Sequence, residues 1–341
     1  MTGAPRRPAG RLFGVGVAIG VAAVGVAVAA GRRAERSARM GLVDWPTVGS
    51  IAEDRLRRAR GALPAADIAA SDAAYAAAMR RVAPALEAHL GVALPGVVER
   101  AAAIDRAGWA RANVRVLARL FARVEGDIIA QILPPGVGGT RATLAAANRW
   151  ATTRQLGLML GFMGQRVLGQ YDIALLAAED EEPGRLLFVE ENVRLTAKSL
   201  EVDLDAFRTW IALHEATHAF EFEAHPWLRR YLAERLEAQL AAFSRDVRGM
   251  SRDVMRGLAG SIRGGRSGRH WIEALLTEEQ RLMLRETQAI MSLLEGFSDH
   301  VMDEVGREIV PGHAEISEKF HRRRERRSGL ERALMRSPAW T

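Results

Sequence analysis

From Val43 onward the chain is written almost entirely in helix: Ala, Leu and Arg recur at helical spacing, and the runs are separated by turn residues. The periodicity predicts helices over residues 51–62, 66–91, 94–128, 140–170, 202–224, 228–248, 271–306 and 313–336. Breaks between them fall at Gly61 to Pro64, Pro95-Gly96, Pro134-Pro135-Gly136, Pro183-Gly184, Gly264-Gly265 to Gly268, and Pro311-Gly312. One stretch departs from the pattern. Leu186 to Val189 follows a Pro-Gly turn and reads as a short strand. The chain is therefore expected to be mainly α, with a small β element ahead of the helix at 202–224. Gly157, Gly161 and Gly164 recur at small helical spacings, which predicts close packing against another helix; Arg154 and Arg166 flank them and argue against a membrane dimer motif. With no internal repeat and no long linker, residues 40–336 read as one domain behind an extension of residues 1–39.

Composition narrows the chemistry. There is no cysteine, which excludes disulfides, thiolate nucleophiles, iron–sulfur clusters and cysteine zinc sites. A metal site has to be built from Asp, Glu and the eight His. The net charge of +7 is unevenly placed: residues 1–39 and 319–341 each carry +6, which leaves the body at −5. Lys198 and Lys319 are the only lysines, so the basic pI reflects arginine-rich ends on a mildly acidic body. That distribution argues against nucleic acid as a partner.

Residues 12–31 form an uncharged run of twenty between Arg6, Arg7 and Arg11 on one side and Arg32 and Arg33 on the other. As a helix it would be about 30 Å long, enough for a bilayer core. Three readings are open: a single membrane anchor, a secretory signal cut near Ala27-Val28-Ala29, or an extension ahead of a true start at Met40. On the first the protein is anchored to a membrane; otherwise it is expected in the cytoplasm.

The densest chemical signal is His214-Glu215-Ala216-Thr217-His218. Imidazoles at i and i+4 stack one turn apart on a helix face, where both can reach one tetrahedral zinc. Glu215 projects about 100° round the helix from His214, beside such a metal rather than on it, which is where a general base belongs. A catalytic zinc takes a third protein ligand and keeps one position open. Glu295 is the candidate, with Asp299 one turn later on a helix otherwise lined by Met, Leu, Phe and Val. Two carboxylates on an apolar helix call for a positive partner. Glu295 on zinc and Asp299 accepting a ring N–H of His214 or His218 would satisfy both; a salt bridge to Arg is the structural alternative. His300 lies about 140° round from Glu295, so the two are not expected on one metal. It is a candidate oxyanion donor instead, as is Tyr171. His225 lies about 10 Å along the helix from His218 and precedes Pro226, which excludes it as a ligand.

The stretches Asp105 to Asn113, Leu168 to Asp172, Phe207 to His214, Pro226 to Arg229, Leu294 to Asp299 and Val310-Pro311 resemble the actinobacterial zincin-like metallopeptidases of type 2. Members are often labelled zinc-dependent metalloproteases or associated with deazaflavin-coenzyme biosynthesis. The resemblance runs from about residue 42 to 327 and makes the basic stretch from His321 to Arg327 a closing helix rather than a nucleic-acid arm. It implies a mostly helical zincin fold with zinc on His214, His218 and Glu295. The Glu295-x-x-x-Asp299 pair is similar to the gluzincin pattern, in which the Asp supports the first His. The 76 residues between His218 and Glu295 are many more than in compact gluzincins.

Together these readings lead to zinc-assisted hydrolysis of a peptide or other amide bond, with Glu215 as base and strand 186–189 pairing its edge with substrate. The competing expectation is a non-catalytic scaffold in which zinc stabilises a binding surface.

Overall fold

The structure is a computed structural model and describes residues 41–132, 140–171, 184–239, 242 and 278–334. The apolar run 12–31 with the rest of the extension, the breaks at 134–136 and 264–268, and Asp172 lie outside the described residues. Nine helices and three strands are described: α1 (Trp45–Arg57), α2 (Ala65–Leu90), β1 (Ala101–Ile104), α3 (Arg106–Ile132), α4 (Thr140–Met163), β2 (Gly169–Tyr171), β3 (Leu186–Val189), α5 (Glu190–Leu200), α6 (Leu204–Ala224), α7 (residues 226–239), α8 (Glu278–Ile309) and α9 (His313–Leu334). No helix among the described residues is long and apolar enough to cross a membrane.

The protein is mainly helical, as expected, and Leu186–Val189 is a strand. It is also the centre of a sheet. β3 pairs in parallel with β1, Ala101 opposite Leu186, and antiparallel with β2, Gly169 opposite Phe188. β1 falls inside the stretch 94–128 that reads as helix, and β2 overlaps the end of the stretch 140–170. Ala101 to Ile104 has ordinary helix propensity, and only the long-range ladder with β3 makes it a strand. The first helix begins earlier than its periodicity suggests because Asp44 caps it, accepting from Thr47 N at 3.2 Å, with Pro46 in its first turn. Residues 190–200, which carried no helical expectation, continue straight from the strand as α5.

Two apolar clusters flank the sheet. One joins α2, α6, α8 and the sheet, where Tyr75 stacks on Phe188 with ring centroids 4.2 Å apart. The other joins α1, α3 and α4 around Trp109 and Val189. The three glycines of α4 and its following turn do pack against a helix: a Cβ at Gly157 would fall 2.8 Å from Ile51, and one at Gly161 2.7 Å from Arg55, both on α1. Charge is buried at the sheet's end. Glu190, fully buried, accepts from Tyr75 Oη at 2.7 Å and Arg194 Nε at 2.6 Å and pairs with Arg208 of α6. Burial alone would raise its carboxyl, but the bonds from Arg208, Arg194 and Tyr75 outweigh that and hold it below 4.5. This network ties α2, α5 and α6 together at the N-terminal end of the helix that carries the site.

Candidate metal centre

α6 is anchored before it reaches the chemistry. Asp203 caps it, its Oδ1 accepting from Ala206 N at 2.8 Å, and the residues from Ala206 to Leu213 are buried without interruption. A helix enclosed on so many sides has little freedom to rotate, so the side chains at 214, 215 and 218 are presented at fixed angles. α8 packs across it through Leu294, Ser298, Val301, Met302 and Val305, all buried. Leu294 is also clamped by Leu228 and Leu232 of α7. Its neighbour Glu295 is thereby turned toward the two imidazoles.

The ligand atoms of His214, His218 and Glu295 lie within 4.8 Å of one another. The Nε2 atoms of the two His are 3.3 Å apart, and Oε1 of Glu295 is 3.9 Å from Nε2 of His218. Two nitrogens bound to one tetrahedral zinc at about 2.0–2.1 Å would be separated by about 3.3 Å, so the pair has the required spacing. From 3.9 Å, the carboxylate has to close by about 0.6 Å to stand at the same spacing from His218.

The other ring nitrogens are occupied. Nδ1 of His218 is 2.7 Å from Oε2 of Glu221, which is buried. Burial raises the Glu221 carboxyl, opposed by its bond to His218; where Glu221 is ionised it can only accept, which puts a proton on Nδ1 and leaves Nε2 as the nitrogen for a metal. Nδ1 of His214 lies 3.0 Å from Ser298 Oγ and 3.2 Å from Met302 Sδ. Burial opposes a charge on His218, yet the hydrogen bond to Glu221 and the charges of Glu215, Glu221 and Glu295 overcome it and raise its pKa. A field that favours a proton there also favours a metal cation. The donor set, its spacing and its electrostatics fit a divalent ion.

Glu215 is buried beside β2. Its Oε2 accepts from Tyr171 N at 2.9 Å, while a Cβ placed on Gly169 would fall 2.6 Å from Oε1. Only glycine allows the strand so close. Burial pushes the Glu215 carboxyl up to about 7, opposed by His218 and the Tyr171 N–H and reinforced by Glu295. A divalent cation on the neighbouring imidazoles would draw it back down and favour the carboxylate. His214, Glu215, Glu295 and Asp299 line one cleft of about 580 Å³.

Several expectations change in place or role. Asp299 lines the cleft one turn after Glu295, but the Nδ1 hydrogen bonds it was expected to make involve Glu221 and Ser298. Ser298 lies on the side of α8 that faces His214, and Glu221 is already one turn from His218 on α6. Tyr171 reaches the site through its backbone: its hydroxyl bonds Glu223 at 2.8 Å, and burial together with Glu223 raises its pKa. His300 is exposed on the opposite side of α8 and is absent from the described lining of the cleft. His225 caps α6 with Nδ1 3.2 Å from Glu221 O, away from the triad. β3 is paired on both edges and has none left for a substrate; among the described residues β2 is the outer strand beside Glu215, and its Tyr171 N–H is taken by that carboxylate.

Sequence reasoning passed over Glu221, Ser298 and Gly169. Glu221 could have been read from its i+3 spacing to His218. Ser298 and Gly169 gave no signal of their own, because each acts on a residue more than 40 positions away.

Comparison with known proteins agrees with this geometry. A family model described as zincin-like metallopeptidase matches residues 43–337. Among solved structures, the chain is similar to one titled "Crystal structure of a putative hydrolase with a novel fold from Chloroflexus aurantiacus". It is 31% identical to that chain with a TM-score of 0.59, over 86% of this chain and 80% of the other. Curated proteins yield no match. Neither comparison bears on actinobacterial origin or on deazaflavin coenzymes. The match spans both metal-facing helices and the strand between which the triad and Glu215 are held, and the chain belongs to the zincin-like metallopeptidase family.

Proposed function

We propose that the protein is a zinc-dependent peptidase in which His214, His218 and Glu295 hold the metal and Glu215 is the general base. The observation that carries this reading is the 3.3 Å approach of two imidazole nitrogens beside the carboxylate of Glu295 as third donor, with a buried acid one residue from the first ligand. When bound, zinc supplies Lewis acidity, polarising a scissile carbonyl and making water a better nucleophile near neutral pH. The chain's own residues do the rest. Glu221 and Ser298 orient the two imidazoles through Nδ1. Glu215 takes the proton of the attacking water on its carboxylate and returns it to the leaving nitrogen. The Tyr171 N–H and the bare face of Gly169 hold Glu215 in one rotamer for both transfers.

The test combines metal analysis with mutagenesis of the full-length protein. Wild type should purify with one zinc per chain, and His214→Ala should lose it. Glu215→Gln should keep zinc while hydrolysis of a broad peptide library disappears. Turnover undiminished in Glu215→Gln would overturn the assignment of the base. A zinc-loaded wild type that cleaves no peptide would instead establish the scaffold reading.

A further inference from the structure

α4 is apolar on two sides. Gly157 and Gly161 bring its inner face onto α1. Its outer face carries Trp150, Leu158, Met159, Phe162 and Met163, exposed by 63%, 51%, 43%, 42% and 42%. At about 100° per residue these side chains fall, with Arg154 and Gln155, on one arc turned away from the glycines. A surface helix ordinarily turns charged and polar groups to water at such positions. Here residues 128–171 contain no Asp or Glu, in a protein whose body, residues 40–318, carries a net −5. The cations at this face, Arg154 and Arg166, lie over the rings of Trp150 and Phe162, 4.9 and 3.4 Å from the ring centroids.

The chain also enters the domain on this helix. Asp44 N donates to Thr153 Oγ1 at 2.9 Å, and the Asp44 carboxylate pairs with Arg149 at 3.3 Å, both on α4. The uncharged run of residues 12–31 ends thirteen residues before Asp44. The intervening stretch, 32–43, can reach about 40 Å when extended, and it carries Arg32, Arg33, Arg36 and Arg39 against Glu35. A bilayer that receives the run therefore lies within that distance of α4. Charge selects among the occupants of the outer face. A second copy across a two-fold axis would bring Arg154 toward its own equivalent with no acid between them. The run itself would bring Arg11, Arg32 and Arg33 to a face that has cations and no carboxylate. A lipid surface suits it: Trp and Phe favour the interface, Leu and Met enter the acyl boundary, and Arg meets anionic headgroups.

We propose that the outer face of α4 seats the domain on an anionic lipid surface, the helix lying along the membrane that residues 12–31 enter. The inference takes up the anchor reading of that run and is independent of the peptidase reading. It also locates the metal centre. Val167, Leu168 and Gly169 of the cleft wall follow Met163 within six residues, so the cleft is held near the lipid.

The experiment uses the full-length protein and vesicles of phosphatidylcholine and phosphatidylglycerol. Because the chain has no cysteine, Leu158→Cys, Phe162→Cys and, on α2, Ala77→Cys can each carry a single NBD fluorophore. All three side chains are exposed, so these substitutions leave the core intact. On vesicles, emission at 158 and 162 should move to shorter wavelength. Nitroxide-bearing lipid should quench it severalfold more than emission at 77. Adding Leu158→Asp to the Phe162→Cys protein should remove most of that quenching. A protein that floats with vesicles while 158 and 162 stay unquenched would overturn the inference and leave residues 12–31 as the membrane contact. Failure to float with vesicles would overturn it too. Short-wavelength emission at 158 and 162 before lipid is added would overturn it in favour of a second copy where it grows with protein concentration, and of residues 12–31 where it does not.

Discussion

Gly169→Ala tests how the general base is held. A Cβ at this position would lie 2.6 Å from Oε1, 2.7 Å from Cγ and 2.8 Å from Cδ of Glu215. Ordinary contact begins near 3.4 Å, so the carboxylate has to retreat by about 0.8 Å. Glu215 is buried and its Oε2 is held by the Tyr171 N–H, so it cannot move away without losing that bond. Misplacing a reacting group by about 1 Å costs about 100-fold in rate. We therefore expect kcat/KM to fall about 100-fold on a peptide that wild type cleaves, with a stability loss of about 1–3 kcal/mol in urea unfolding. Zinc stoichiometry should not change, because the ligand atoms lie on other side chains. A Gly169→Ala protein with wild-type turnover and full zinc would refute the claim that the bare strand places the base.

Other outcomes follow from the same contacts. Glu221→Ala should weaken zinc binding about 10- to 100-fold in chelator competition, since it removes the carboxylate that fixes the His218 ring. Arg208→Ala should cost about 3 kcal/mol in urea unfolding, because Glu190 stays buried and keeps only its half-exposed partner Arg194 and the Tyr75 hydroxyl. The Glu190 carboxyl is held below 4.5 in the folded state. Its contribution to stability is therefore complete above pH 4.5 and is lost as pH falls through the lowered value. Urea midpoints measured down through that range should show a steeper acid decline in wild type than in Glu190→Gln.

How much of this could be read in advance depended on the distance over which each feature is specified. The helices of residues 65–90 and 204–224 were visible because their apolar spacing and caps are local, and so was the pairing of His214 with His218, one turn apart on a single helix. Glu295 was legible as an acid with no apolar excuse on an apolar helix face. The strands β1 and β2 were not: Ala101–Ile104 and Gly169–Tyr171 lack a period of their own, and pairing with β3 decides their state. Asp299 was expected to accept from His214 or His218; that Ser298, one residue earlier on α8, lies 3.0 Å from Nδ1 of His214 depends on how α8 packs on α6, which the sequence of α8 does not state.

By itself, then, the order of residues determined which groups could bind a metal and which could move a proton, since those are properties of side-chain type and of spacing within one helix turn. Tertiary structure alone decided the rest: that Gly169 backs Glu215, that Ser298 meets the His214 ring, and that the turn after α4 and the helix α9 border the same cleft. The physical reason is one of range. Helical periodicity is local, whereas a strand ladder or a helix crossing joins segments whose proximity exists only after the core has packed.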